Sequence, residues 1–294
     1  MLAAERFRRL LSDLALSADD RANGLRAHRG VRATLQGHYY GYLTMQDHSR
    51  LMGAWAKGTE VLPARSIDLL FALPKTVRER EWPERADASV QWQMLDEIQT
   101  VLRATHGTAK IRADGRAITV VVDGQTVDVR PAFALPNGRY HLCDAHGAGR
   151  FCLSDPSLEE ANLRHADHHS HGNARDLIRM LKCWQGYRSV AIPSFWLELL
   201  AIEFLSAWPR AGDPKSFYDW MVRDFFAFLA EQAGRTLTVP GSDEAMAIGS
   251  EWLSAARDAR THAAKACDFE NGGLNADAWW EWEKIFGERI PLDS

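Results

Sequence analysis

The sequence predicts an α+β fold in which a strand-rich first half leads into a helical second half. Two hairpin signals and one change of periodicity carry that expectation. "RAITVVVDGQTVDVRPAF" (116–133) is a pair of β-rich runs around Asp123-Gly124, a dipeptide that tolerates the positive φ angles of a tight turn. "RYHLCDAHGAGRFCLSD" (139–155) reads as a second hairpin with a Gly-rich turn. Beyond Asp155-Pro156 the character turns helical, and most of the eleven Trp lie after residue 180, large side chains suited to filling space between helices. The division falls near residue 154, giving a first unit at 1–154 and a helical unit at 155–294.

Taken in order, residues 1–36 read as mostly helix, because Ala3, Phe7, Leu10, Leu11 and Leu14 recur at helical spacing. "IDLLFAL" (67–73) is a buried-strand signal that stops at Pro74. In 89–105, Val90, Met94, Ile98, Val101 and Leu102 share one helical face, with Ser89 as the expected cap. The two hairpins follow. Helices are then predicted at about 157–164, 173–186, 193–207, 214–233, 242–266 and 275–286, with Trp279, Trp280 and Trp282 read as helix packing.

Composition narrows the function classes. Lys and Arg number 35 against 39 Asp and Glu, a net charge of −4 with no long basic run, which counts against stable nucleic-acid binding. The start of the chain intersperses charges among its apolar residues, so it reads as an amphipathic helix rather than a signal peptide. No uncharged apolar stretch is long enough to predict a membrane span. The four Cys form no CxxC pair, and a reducing cytoplasm is the expected compartment.

Two clusters invite a metal. His165, His168, His169 and His171 read as a solvated loop, since no carboxylate or Cys follows at a familiar ligand spacing. His141, Cys143, His146 and Cys152 include zinc-ligand types, but alternation along a hairpin explains the cysteines as small buried residues.

The stronger constellation begins at "GAWAKGTEVLPARSIDLLF" (53–71). Gly53 and Ala54 open a basic, Gly-containing turn that feeds the strand at 67–73. Side chains alternate along a strand, so Ser66 and Asp68 share a face, and Asp128 points away from its apolar neighbours Val127 and Val129. Strand-borne carboxylates that converge on one patch can hold Mg²⁺ ions between a triphosphate and an attacking hydroxyl.

This order resembles the polymerase-β-like nucleotidyltransferases, whose pattern is Gly-Ser, a spacer, Asp-x-Asp, then a third Asp on a later strand. It is most similar to the bacterial CD-NTases, relatives of cyclic GMP-AMP synthase. The resemblance runs through "GAWAKGTEVLPARSIDLLFAL", "VDVRPAF", "GRFCLSDP", "ARDLIRMLKCW", "IPSFWLELLA" and "WEKIFGERIP". It implies a nucleotidyltransferase palm (a mixed sheet with helices) plus a C-terminal helical lobe, with nucleotides in the cleft between them. It also implies NTP substrates, Mg²⁺ or Mn²⁺, a cyclic or short linear oligonucleotide product in anti-phage defence, and a regulatory or effector protein partner. By position, Gly53 and Ala54 hold the triphosphate turn, and Ser66, Asp68 and Asp128 take the metal positions. Lys182 reaches the triphosphate, and Ser194 sits beside its phosphates, where its place before an apolar helix also fits an N-cap. The family's Ser is Ala54 here and its first metal-binding Asp is Ser66, a neutral hydroxyl that substitutes poorly for a carboxylate on Mg²⁺. Glu60 is the nearest carboxylate in sequence that could take its place. Two readings stay open: a working synthetase, or a catalytically silent relative that binds nucleotides or a partner protein. Transfer to an RNA or tRNA end is a third, against which the lack of basic surface counts.

Overall fold

Apolar residues spaced three and four apart wind the start of the chain into α1 (Ala3–Leu14) and α2 (Ala18–Tyr40), the second capped by Ser17, whose side chain accepts from the Asp20 amide. These belong to a computed structural model that describes residues 3–42, 46–81, 87–107, 109–242 and 245–292. Next come β1 (Ser49–Met52), the short α3 (Gly53–Lys57), β2 (Ile67–Ala72), α4 (Lys75–Glu81) and α5 (Ala88–His106). Strands β3 (Lys110–Ala113), β4 (Ile118–Val122), β5 (Gln125–Ala134), β6 (Tyr140–Asp144) and β7 (Arg150–Ser154) complete a seven-stranded sheet.

The sheet runs β1-β2-β5-β4-β3, with the β6–β7 hairpin added through β6 to the far end of β5. It is mixed, because β2 and β5 pair in parallel while the other pairs are antiparallel. At the β4–β5 turn Asp123 and Gly124 take φ of 50° and 75°, the expected tight hairpin. Period-2 alternation then sorts the two faces. Leu69, Phe71, Ile118, Val120, Val127 and Val129 are buried in one core with Val31 and Leu35 of α2 and Met94, Ile98 and Leu102 of α5. Each such side chain contributes about 1.5–3 kcal/mol when fully buried. The opposite face carries Asp68, Leu70, Asp128 and Arg130.

The rest of the chain is mainly helical: α6 (Pro156–His169), α7 (Asn173–Tyr187), α8 (Ser194–Ala207), α9 (Tyr218–Leu229), α10 (Leu253–Asn271) and α11 (Asn275–Phe286). A second core joins these helices and also takes in Phe7, Leu10, Leu11 and Leu14 of α1. Phe7 packs edge-on against Trp282 with ring centroids 5.0 Å apart. Beside it the fully buried Arg6 pairs with Glu270 at 2.5 Å. Among the described residues no helix is long and apolar enough to cross a membrane.

The α+β expectation holds, with corrections in detail. The helix predicted over 242–266 starts only at Leu253; ahead of it β8 (Thr236–Thr238) and β9 (Ala245–Ala247) form a two-stranded ribbon. Gly249, at φ 69°, stops a helix from passing through that stretch. The helix at 214–233 divides into a 3₁₀ turn at Lys215–Phe217 and α9. Asp87, not Ser89, caps α5, accepting from the Val90 amide at 3.1 Å. The predicted helix at 157–164 continues to His169, so His165, His168 and His169 lie on α6 rather than in a loop. Ser194 is the first residue of α8, and Pro193 holds the cap position.

Candidate functional site

β1 brings Met52 opposite Asp68 of β2, and the chain then turns into α3 at Gly53. Gly53 has φ 61°, and a Cβ there would come within 2.3 Å of Asp68 Oδ2. Only glycine meets both demands. Behind the turn, Gly24 of α2 lets the helix backbone settle on the buried Trp55, where a Cβ would lie 2.4 Å from the indole.

Asp68 and Asp128 are direct register partners across the parallel β2–β5 pair. Each has its own partner. Thr119 Oγ1 donates to Asp128 Oδ1 at 2.7 Å. Arg130, two residues past Asp128 and so on the same face, donates from Nε to Asp68 Oδ1 at 3.1 Å.

These elements border a cavity of about 580 Å³. Gly53, Ala54, Ser66 and Asp68 line one side, and Lys182 of α7 and Ser194 of α8 line it from the helical half. Ser66 lies immediately before β2. Lys182 Nζ donates to the Thr59 carbonyl and hydroxyl, both at 2.9 Å. Burial pushes its ammonium down to about 8, helped by nearby Lys57, Arg65 and Arg179 and opposed by Glu198. Ser194 Oγ donates to Gln185 Oε1 at 2.7 Å and accepts from Arg65 at 3.4 Å.

A buried ion cluster crosses the cavity wall. Lys57 of α3 reaches Glu198 of α8 at 2.6 Å and Glu159 of α6 at 3.2 Å. Burial works against the Lys57 charge, yet the two carboxylates outweigh it and raise its pKa; burial in turn raises that of Glu159. On the sheet side Asp144 takes Arg116 at 2.9 Å, His146 at 2.8 Å and Arg150 at 3.4 Å. Burial alone would raise the Asp144 pKa, but Arg116 and His146 hold it well below the usual carboxylate range.

Of the residues singled out from sequence, Gly53, Ala54, Ser66, Asp68, Lys182, Ser194 and Glu60 all meet at this cavity. Asp128 is not among the lining residues. Glu60 is buried and ion-paired to Arg21 through Oε1, while Oε2 has no hydrogen-bond partner among the described residues. The carboxylate cannot swing toward Asp68 without giving up Arg21. Four neighbours went unnoticed in the sequence: Arg130, Lys57, Glu198 and Asp144. Only Lys57 carried a local signal, as the cation of the turn "GAWAKG".

The donor set does not fit a two-ion Mg²⁺ site. Asp68 is paired to Arg130, Asp128 is not among the residues that line the cavity, and Ser66 brings no charge. Among the described residues, no three His, Cys, Asp or Glu side chains gather as metal ligands. Cys143 of the β6–β7 hairpin is buried and free, its thiol pushed up to about 12 by burial.

Comparison with known proteins agrees with this architecture. The family described as Second Messenger Oligonucleotide or Dinucleotide Synthetase domain matches residues 1–166. A probable cyclic nucleotide synthase of Bacillus cereus (strain VD146) is 23% identical over 177 residues, 56% of this chain and 51% of that protein. The chain thus spans about half the length of the curated relative it matches. Escherichia coli MS115-1 CdnC solved with ATP is similar in fold, at TM-score 0.72 and 16% identity over 98% of this chain and 99% of that one. The same protein in complex with HORMA-deltaN matches at 0.72 and 17%, covering 98% of each. The Vibrio cholerae cyclic AMP-GMP synthase DncV, bound to the linear intermediate 5′ pppA(3′,5′)pG, matches at 0.74 and 13% over 98% and 96%. The mixed sheet with its helices is the polymerase-β-like fold of these CD-NTases.

Proposed function

As the chain belongs to the Second Messenger Oligonucleotide or Dinucleotide Synthetase family, the CD-NTases, we propose that its cleft binds a nucleoside triphosphate and, with Ala54 and Ser66 as they stand, makes little or no oligonucleotide product. One observation carries this reading: the Gly53 turn and Lys182 border the same cavity, while Asp68, the carboxylate against that turn, is paired to an arginine. Triphosphate recognition by a turn and a lysine does not depend on residue 66, whereas metal-assisted transfer does. The residues offered to the ligand are Gly53, Ala54, Lys182 and Ser194. Calorimetry with ATP tests the first half, with weaker binding expected on Lys182→Ala. Radiolabelled NTPs with Mg²⁺ or Mn²⁺ test the second, and rapid product formation by the unaltered chain would overturn it.

The register of Asp68 with Asp128 favours a second reading, a working synthetase of cyclic or linear oligonucleotide signals in anti-phage defence. It requires Mg²⁺ or Mn²⁺ at Asp68 and Asp128, and Arg130 must then release Asp68. Either reading admits a regulatory or effector protein partner, as CdnC is found in complex with HORMA-deltaN. Co-purification from cells and activity with and without the captured protein would test that.

A further inference from the structure

Where the cleft meets the sheet, Arg116, Arg130 and Arg150 line it beside Asp68 and Asp144. Asp68 Oδ1 is taken by Arg130 Nε at 3.1 Å, and this pair lines the cavity with side-chain exposures of 23% and 39%. A guanidinium carries five N–H donors, and the bond to Asp68 uses the one on Nε. The group is planar, permanently charged and shaped for bidentate contact with phosphate oxygens. Arg130 sits two residues beyond Asp128 on the strand next to Asp68, so a divalent cation between Asp68 and Asp128 would have to share that space with a fixed positive charge. Its charge is also felt by Glu159 across the cavity.

We infer that the Arg130 guanidinium, braced on Asp68, is the resident cation of this cleft, so that nucleoside triphosphate binding here needs no divalent metal. The inference rests on the proposed triphosphate site and goes further by naming the counter-charge. Asp68 then acts as the anchor that orients Arg130 rather than as a metal ligand. Arg130 supplies the phosphate contact on the sheet side, and Lys182 supplies it on the helical side.

The test is calorimetry of the full chain with ATP in EDTA and again in excess Mg²⁺. Equal affinity in the two conditions is expected. Arg130→Ala should lose about ten- to a hundredfold in the EDTA arm, the range for one charge-assisted hydrogen bond. Arg130→Lys keeps the charge without the fork and should fall between the two. Thermal unfolding of each variant shows whether the fold survives. Should Arg130→Ala fail to fold, Arg130→Gln carries the test: it keeps a hydrogen-bond donor beside Asp68 without the charge and should weaken ATP in EDTA. Binding that appears only with Mg²⁺ would overturn the resident-cation inference and leave the triphosphate site standing. Equal ATP binding in EDTA by folded Arg130→Ala and the parent chain would overturn it as well. Absence of ATP binding in both arms would sink the underlying site and the inference together.

Discussion

A Cβ on Gly53 would lie 2.3 Å from Asp68 Oδ2, so the turn and the carboxylate are fitted to each other at backbone resolution. Gly53→Ala must therefore displace Asp68 and also hold φ near 61° with a side chain. The backbone conformation alone costs about 1–2 kcal/mol. We expect a lower urea midpoint and weaker ATP binding, whereas Ala54→Gly next to it should leave the Asp68 position intact.

Lys57 is expected to be a stability determinant. It is 4% exposed and compensates Glu198, at 6%, and Glu159. Removing one partner of a buried ion pair costs about 3–5 kcal/mol, because the remaining charge stays buried. Lys57→Met should show that loss in urea unfolding. Lys57→Met with Glu198→Leu should recover part of it, and no recovery would mean that Lys57 stabilises through packing.

ATP binding should take up a proton above neutral pH. Lys182 is held at about 8 in the free protein against an ordinary 10.5. Between those values the folded chain lacks a proton that the unfolded chain holds, so this group's contribution to stability rises with pH there. A bound triphosphate favours the charged form and reverses the shift. Affinity should thus decline as pH climbs past about 8. At pH 8.5 to 9, calorimetry in buffers of different ionisation enthalpy should reveal the uptake, and Lys182→Arg should abolish it.

Ser66→Asp adds a carboxylate at the cavity two residues before Asp68, which stays paired to Arg130. Alone it should restore little synthesis, since the guanidinium still holds Asp68. Combined with Arg130→Val it should raise product formation by about 10²–10³, the usual effect of one preorganised electrostatic contributor. Ala54→Ser should add a smaller gain. Labelled-NTP chromatography of the four proteins reads this directly, and a combined variant that binds ATP but makes nothing would place the defect elsewhere.

How much could be read in advance depended on the distance over which the information lies. The β4–β5 hairpin was legible because Asp123-Gly124 and alternating valines are local signals, and they placed Asp128 correctly on its face. β1 and α3 span four and five residues, too few for a period to emerge. Arg130 looked like one residue of a strand motif, because its role comes from pairing with Asp68, 62 residues earlier. Lys57 finds its carboxylates 102 and 141 residues away, which no spacing rule reaches. The helix predicted over 242–266 starts only at Leu253, because Gly249 at φ 69° and the β8–β9 ribbon interrupt the stretch before it.

The burial of α1 sets an order of events when the chain is made. Phe7 and Arg6 leave the ribosome early, yet their partners Trp282 and Glu270 follow more than 260 residues later. At about 5–20 residues per second, this amphipathic helix waits on the order of ten seconds or more for these last partners, with α7 and α9 reaching it sooner. The sheet can close in that interval around α2 and α5, which need nothing beyond β7. The helical core cannot, because its first piece was made first and its last piece locks it in place. A nascent chain stalled before residue 270 should therefore carry a folded sheet and a sticky leading helix, the species a holding chaperone would find.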